Sequence, residues 1–479
     1  MRTKQFKDPV HGYISVPVSY CKCFIDTPIF QRLRHIEQTS MRCLFPGAHH
    51  DRFAHSLGVF HLGQWTYDAL LVNTKTDKGV NDILQDTKLR QTFLVACLMH
   101  DCGHAPFSHT LEKFYNDSGS RNGFHNSAYS ALAACFSDDF KVEEKEFKPA
   151  PHEAMSAVVL KECFDEKTPE LDWDATLAAR MITGCKHHSP ATLTLRVQNI
   201  LIGLLNSSAI DMDKLDYIIR DTWASGVKNS AIDIHRLIEA VTIVKAEDQT
   251  IRLAYRRSAL SVIQSVIDAR NYLYEWIYNH HAVLYYAEML KRSVLSLGAA
   301  LDEEQPKGAC LTKLFSKDVF QQTVPLQDRA NGPSARLLTD GDILFYLKVF
   351  CLDTPAYKSY SSHISDHFAV WKTEAEYRSI FKAHQYQITE NQCRRVLEKF
   401  GVTKDQLIFC DGKVKLHTLQ ESEILIDFGV RQAPFTEVIP QKIQQVANKK
   451  VEFFYLYVSN VFKPQQDAII KALVSEAQT

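Results

Sequence analysis

The chain has almost no net charge: 55 Lys and Arg against 56 Asp and Glu leave −1 at pH 7, with a pI of about 7.0. That balance argues against nucleic acid as a general partner, because the basic footprint of such binders is missing; only a local basic pocket stays open. No run of eighteen or more apolar residues occurs, so no membrane span is expected. Met1-Arg2-Thr3-Lys4-Gln5-Phe6 lacks the apolar core of a signal peptide, which points to a cytoplasmic protein, or a nuclear one in a eukaryote. No Cys-x-x-Cys pair exists among the 12 cysteines, and Cys21 and Cys23 are too close together for a zinc knuckle. Scattered cysteines of this kind read as reduced core residues in a reducing compartment. Internal repeats and low-complexity tracts are also missing.

What is present is an ordinary globular composition, 45% apolar and 23% charged. At 479 residues the chain is too long for one typical core. The apolar patterning predicts helices over Leu57–Val72, Leu89–Cys102, Ala154–Cys163, Leu195–Leu205 and Ala259–Leu297; the second is apolar nearly all round and so is expected to be buried. Strand signals there are limited to a short hairpin near Val10–Val18 and a run at Ile251–Ala254. The stretch Asp302-Glu303-Glu304-Gln305-Pro306-Lys307-Gly308 breaks the helical pattern, and Asn331-Gly332-Pro333-Ser334 predicts another loop. Beyond it, helices are expected over Glu374–His384, Gln392–Phe400 and Pro464–Glu476, and strands over Gln406–Phe409, Glu423–Phe428 and Val451–Val458. The expected fold is mainly α, with a helical domain over 1–301 and a smaller α+β lobe over 302–479.

Histidine is unusually frequent: 20 in all, with a dense set before residue 153. Met99-His100-Asp101 ends the apolar helix, and a His-Asp pair in so apolar a segment is costly to bury unless something satisfies it. A divalent cation does so. His55, opening the first apolar helix, and Asp213 in Ile210-Asp211-Met212-Asp213-Lys214 supply two further ligands. Two imidazoles with two carboxylates suit Fe, Mn, Mg or Zn and leave positions for water and substrate.

This order of ligands, a His, then His-Asp, then a distant Asp, resembles the HD-domain phosphohydrolase superfamily. Four strings narrow the resemblance: Asp8-Pro9-Val10-His11-Gly12-Tyr13-Ile14, Asp26 through Gln38, Phe45-Pro46-Gly47-Ala48 through Gly58, and His100-Asp101-Cys102-Gly103-His104-Ala105-Pro106-Phe107-Ser108-His109. Together they are similar to the deoxynucleoside triphosphate triphosphohydrolases of the branch that joins a SAM to an HD domain. The likeness covers roughly residues 4–290, with no SAM domain preceding it. It implies hydrolysis of a dNTP to deoxynucleoside and tripolyphosphate, by attack of water on the α-phosphorus. It makes His104 and His109 acid/base groups, and His152-Glu153 a second element whose Glu153 orients a catalytic histidine. Arg52, Lys214 and Arg270 match phosphate-gripping positions. Gln38, Tyr217, Asp221 and Tyr278 match positions around the sugar. Thr39 and Asn279 depart from the family's apolar residue and Gln, which weakens the expected discrimination against ribonucleotides. The resemblance further implies a homo-oligomer, dimer or tetramer, activated by GTP or dNTP effectors. Lys4, Asp26, Gln31 and Arg34 match one regulatory site, and Arg236 and Arg256 match cations of a second, whose positions at Ser258 and Val262 do not follow. Two other readings share these residues: an HD-type phosphodiesterase or nuclease on oligonucleotides, and a non-catalytic nucleotide-sensing scaffold.

Overall fold

The computed structural model describes residues 2–75, 77–115, 149–207, 210–227, 232–245, 250–302, 308–327, 332–382, 387–411, 424–439 and 453–478, with isolated positions between 131 and 139. The predicted break at 303–307, the loop residue Asn331 and the strand starts Glu423 and Val451 lie outside the described residues. The protein is mainly α, with small sheets and a smaller α+β part toward the C-terminus.

An antiparallel hairpin opens the chain, β1 (Thr3–Asp8) against β2 (Gly12–Pro17), in the register Thr3↔Pro17 to Asp8↔Gly12. The hairpin expected near Val10–Val18 is therefore shifted: its turn lies at residues 9–11 and its first strand precedes them. Gly12 takes φ +76°, the left-handed conformation that the turn requires. Helix α1 (Arg52–Asn73) follows, capped by the Asp51 carboxylate accepting from Ala54 N. Helix α2 (Thr87–Met99) is buried from Thr92 to Met99, as its all-round apolarity predicts. His100 caps its C-terminus, so the His-Asp pair sits where the helix lets go of the chain. Helices α3 (Pro151–Cys163), α4 (Ala175–Thr183), α5 (Leu193–Leu205) and α6 (Met212–Ser225) complete the packing around α1 and α2.

The segment read as one helix over Ala259–Leu297 is instead three pieces: α7 (Leu260–Tyr272), a π-helical turn (Leu273–Tyr278) and α8 (His281–Leu301). His280 restarts the helix, its Nδ1 accepting from Ala282 N at 3.2 Å. Strands β3 (Val241–Lys245) and β4 (Ile251–Arg256) pair antiparallel, and β4 also pairs in parallel with β6 (Leu425–Asp427), whose neighbour is β7 (Gln432–Pro434). A second sheet sets β8 (Phe454–Ser459) between His367–Ala369 and β5 (Leu407–Asp411).

Two apolar cores result. The larger runs from Ile14 to Tyr357 and takes in Ile424, Ile426 and Phe435; the smaller is built on Trp371, Tyr377 and β8, with Tyr285 and Met289 contributed by α8. Residues after 302 also reach the His-rich loop. Asp340, at the start of α9 (Asp340–Phe350), accepts from Phe107 N at 2.6 Å and Glu37 N at 2.8 Å. Buried Arg32 donates to the carbonyls of Leu338, Cys102 and His104. These bonds pin a turn in which Phe107 and Ser108 adopt φ +55° and +50°, conformations that non-glycine residues hold only when their surroundings dictate it. Gly103 lets this loop lie on α3: a Cβ there would sit 2.5 Å from Ser156 N and 2.6 Å from the Met155 carbonyl carbon. Gly103→Ala is accordingly expected to lower stability by about 1–3 kcal/mol, read as a drop in thermal midpoint; an unchanged midpoint would refute the packing argument.

Candidate metal and phosphoryl-transfer site

The fold gathers all four ligands expected from the sequence. His55, on α1, is fully buried; its Nε2 lies 3.0 Å from Asp213 Oδ1, 3.2 Å from His100 Nε2 and 3.7 Å from Asp101 Oδ2. His100 Nε2 is 3.5 Å from Asp101 Oδ2 and 3.8 Å from Asp213 Oδ1. The other face of each ring is spoken for: His55 Nδ1–H donates to Asp216 Oδ2 at 2.7 Å and His100 Nδ1–H to Cys97 O at 3.0 Å. In the neutral rings both Nε2 lone pairs therefore face each other and two carboxylates. Such a set of acceptors is satisfied by a cation, and the second bond of each imidazole fixes the ligating tautomer. Without a cation, a proton takes that place between His55 and the carboxylates, and a bound metal would displace it. Burial opposes charge on His55, yet Asp213 and Asp216 outweigh it and raise its pKa to about 9. Burial would likewise raise the carboxyl of Asp101, but Arg52 and the surrounding imidazoles hold it well below the usual range. The donor set fits a divalent metal.

A second imidazole cluster adjoins it. His104 stacks on His152 with centroids 4.4 Å apart, and His109 lies 5.1 Å from each, edge-on. The carboxylate that holds the cluster is Glu112: its Oε1 is 3.1 Å from His109 Nδ1 and its Oε2 is 2.7 Å from His152 Nδ1. Glu153, expected in that orienting role, instead accepts from Ala150 N at 2.7 Å and closes the first turn of α3, with burial raising its pKa to about 7. Glu112 raises His152 to about 9 against the opposing effect of burial. His104 goes the other way: burial, then Arg52 and His152, push it well below its ordinary value, and neither ring nitrogen has a hydrogen-bond partner. His109 is the exposed member, its side chain 59% accessible. One neutral buried imidazole, one charged one and one accessible one thus stand together, the separation of proton affinities that acid/base chemistry uses.

Arg52 lies between the two clusters, donating to Asp101 Oδ2 at 2.7 Å, Ser108 Oγ at 2.9 Å and Gln38 O at 3.0 Å and bearing on His104 through its charge. The chain continues from Gln38, whose N–H donates to His50 O, to the His50 ring, 2.6 Å from Asp221 Oδ1, and on to Tyr278, whose hydroxyl donates to Asp221 Oδ2. Gln38 Oε1 and Thr39 Oγ1 are buried without partners beside this chain. The Arg270 guanidinium lies 4.3 Å over the Tyr274 ring, which meets Tyr278 edge-on. Burial raises Tyr217, on α6 like Asp213, well above its ordinary value. Lys214 points back into its own helix start, donating to Asp211 Oδ2 at 2.6 Å and Ser207 O at 2.8 Å. Asn279 is tied to the backbone, its amide donating to Tyr274 O at 2.7 Å. His50 went unmarked in the sequence, although it lies two residues before Arg52.

The residues expected at the first regulatory site also come together. Lys4 pairs with Asp26 at 3.5 Å, Arg34 Nε donates to Gln31 Oε1 at 2.9 Å, and Gln31 donates to Ile25 O. Arg34 further stacks 3.5 Å over Phe53. Arg236 and Arg256 are exposed, on the helix Ile234–Glu239 and at the end of β4. Among the described residues, no helix is long and apolar enough to cross a membrane.

No family model matches the chain. Among curated proteins, it is 28% identical over 277 residues to an uncharacterized MG461 homolog of Mycoplasma pneumoniae, covering 57% of this chain and 56% of that one. It is 29% identical over 282 residues to the deoxynucleoside triphosphate triphosphohydrolase SAMHD1 homolog of Dictyostelium discoideum, 58% of this chain and 46% of the relative. Identity to the protein named deoxynucleoside triphosphate triphosphohydrolase SAMHD1 in Gallus gallus is 29% over 286 residues, 58% and 42% of the two chains. The chain thus spans about half the length of these curated relatives. In fold it is similar to a crystal structure of a hypothetical protein from Aquifex aeolicus, with a TM-score of 0.62 at 20% identity, covering 98% of this chain and 100% of that one. Over rather more than half its length, then, this chain is similar to proteins named as deoxynucleoside triphosphate triphosphohydrolases, the resemblance that its His-Asp motifs carry.

Proposed function

We propose that the protein is a metal-dependent hydrolase that splits dNTPs into deoxynucleoside and tripolyphosphate. The observation that carries this reading is the meeting of His55, His100, Asp101 and Asp213, with the two imidazole Nε2 atoms 3.2 Å apart, one Arg52 side chain away from the His104–His109–His152 cluster. When bound, a divalent metal there supplies Lewis acidity toward a phosphoryl oxygen and water of lowered pKa. The chain's own residues do the rest. Arg52 faces the metal ligands with a fixed positive charge that favours a triphosphate. His109, accessible and oriented through Nδ1 by Glu112, has Nε2 available to protonate the departing 5′-oxygen. His152, charged near neutral pH, adds a second cation. Gln38, Thr39, Asp221 and Tyr278 form the polar end that takes the sugar.

Two outcomes follow from this reading. Thr39 presents a hydroxyl where an apolar residue would exclude a 2′-OH, so kcat/KM for dGTP is expected to exceed that for GTP by no more than about 10-fold, roughly the discrimination given by one imperfect polar contact. A ratio of 10³ or more would place the discrimination elsewhere, and no turnover of either would refute the activity. The linked patch at Lys4, Asp26, Gln31 and Arg34 supports a nucleotide-responsive homo-oligomer. Gel filtration with GTP and dATP is expected to show a larger species than without them; a monomer fully active without effectors would contradict it.

A further inference from the structure

We propose that the N-terminal hairpin is a working arm of the metal centre, in which Asp8 and His11 act through Asp216 to position the ligand His55. This rests on the metal reading of the His55 site and adds residues to which that reading gives no role. The string Asp8-Pro9-Val10-His11-Gly12 forms the hairpin turn. Asp8 Oδ1 accepts from Val10 N at 2.9 Å and His11 N at 2.8 Å, which fixes the turn, while its Oδ2 accepts from Arg220 Nη1 at 2.8 Å. Arg220 then grips Asp216 through Nε at 2.8 Å and Nη2 at 3.0 Å. The His11 ring reaches the same carboxylate, Nε2 to Oδ1, at 2.6 Å.

Asp216 therefore receives four N–H groups: two from Arg220, one from His11 and one from His55. A carboxylate offers about four lone-pair sites, so its orientation is fully determined. Every member is out of solvent, with side-chain exposures of 5% for Asp8, 6% for His11, 1% for Arg220 and 0% for Asp216 and His55. There is no slack: a Cβ on Gly58 would fall 1.9 Å from Asp216 Oδ1 and 2.6 Å from Arg220 Nη2. The carboxylate behind His55 fixes the ring with Nε2 bare, and outer partners of this kind are worth about 10–100-fold in metal affinity. What makes the arrangement unusual is the source of the outer partners. A two-stranded hairpin is marginal on its own. This one is anchored by Ile14 and Val16 in the core and by an exposed Lys4–Asp26 pair. Lifting it would leave Asp216 and Arg220 short of partners and free the His55 ring to turn.

The test loads the full chain with Mn²⁺, measures metal content after desalting, and follows metal loss to excess EDTA. His11→Ala is expected to lose Mn²⁺ about 10-fold faster than wild type, read at a temperature where both metal-free proteins remain folded. His11→Gln, whose amide can still donate to Asp216, is expected to recover part of the retention, and Ser15→Ala, at an exposed hairpin position, all of it. Should His11→Ala fold poorly, Asp8→Asn reads the same arm from its other end. Equal release from wild type and both arm variants would overturn the inference and leave the metal site standing. A wild-type chain that takes up no Mn²⁺ would overturn the metal reading, and this inference with it.

Discussion

Asp213→Ala is expected to lose the metal and to lower dNTP hydrolysis by about 10³-fold or more, because Lewis acidity and the placement of water vanish together. Asp213 is the informative ligand to remove. Its side chain is 35% accessible, whereas His55 is locked to Asp216 in the interior. The metal-free state makes a second expectation. Without a cation, burial and the Asp101 carboxylate oppose charge on Asp213, but its hydrogen bond to His55 and the nearby His100 outweigh them and hold its carboxyl well below the usual range. Removing Asp213 takes that partner from buried His55, so the metal-free variant should melt lower than metal-free wild type near neutral pH, while only wild type gains stability on adding Mn²⁺. A variant that keeps both activity and metal-dependent stabilisation would remove Asp213 from the site.

Glu112→Gln is the second large effect: a fall in kcat of about 10²–10³-fold with KM little changed, the range general acid/base groups supply. The carboxylate accepts from the Nδ1–H of both His109 and His152; an amide can accept from one and must turn its own N–H toward the other. The same pair predicts a pH signature. His152 is raised from 6.5 to about 9, so its share of stability is complete below about 6.5 and fades as pH rises through about 9. Glu112 is held far below its ordinary 4.5, by His109 and His152 against the opposing effect of burial, so its share is present above about 4.5 and lost as pH falls. The melting difference between wild type and Glu112→Gln should therefore be widest from about pH 5 to 6.5 and close toward pH 10. A difference constant from pH 5 to 10 would mean that the pair is not an ion pair.

The meeting of His55, His100, Asp101 and Asp213 was legible in the sequence because burial makes it so: a His-Asp pair at the end of an all-apolar helix needs a partner of opposite character, and few partners exist. Helices α1 and α2 were legible for the same reason, as long apolar runs with acidic caps. Glu112 was not. It sits in a short 3-10 turn, Glu112–Tyr115, with no periodicity around it, and its importance arises from His109 three residues earlier and His152 forty residues later. Glu153 looked better because it adjoins His152, but adjacent helical residues face different ways, and its carboxylate serves the helix end. Asp216 did leave a signal, since Asp213, Asp216 and Arg220 recur at helical spacing on α6. The break of the long helix at Leu273–Tyr278 left none: no proline or glycine marks it. The parallel pairing of Leu425–Asp427 with β4 joins residues about 170 apart, beyond what local patterning reports.

Water is proposed to attack the α-phosphorus of a dNTP at the His55–His100–Asp101–Asp213 centre. The most direct measurement is hydrolysis of dGTP with Mn²⁺ in ¹⁸O-labelled water, with the phosphate product resolved by phosphorus NMR and mass spectrometry. Attack on the α-phosphorus with departure of the 5′-oxygen predicts tripolyphosphate carrying one ¹⁸O, and unlabelled deoxyguanosine. Label in the nucleoside, or release of pyrophosphate with a deoxynucleoside monophosphate, would contradict the account.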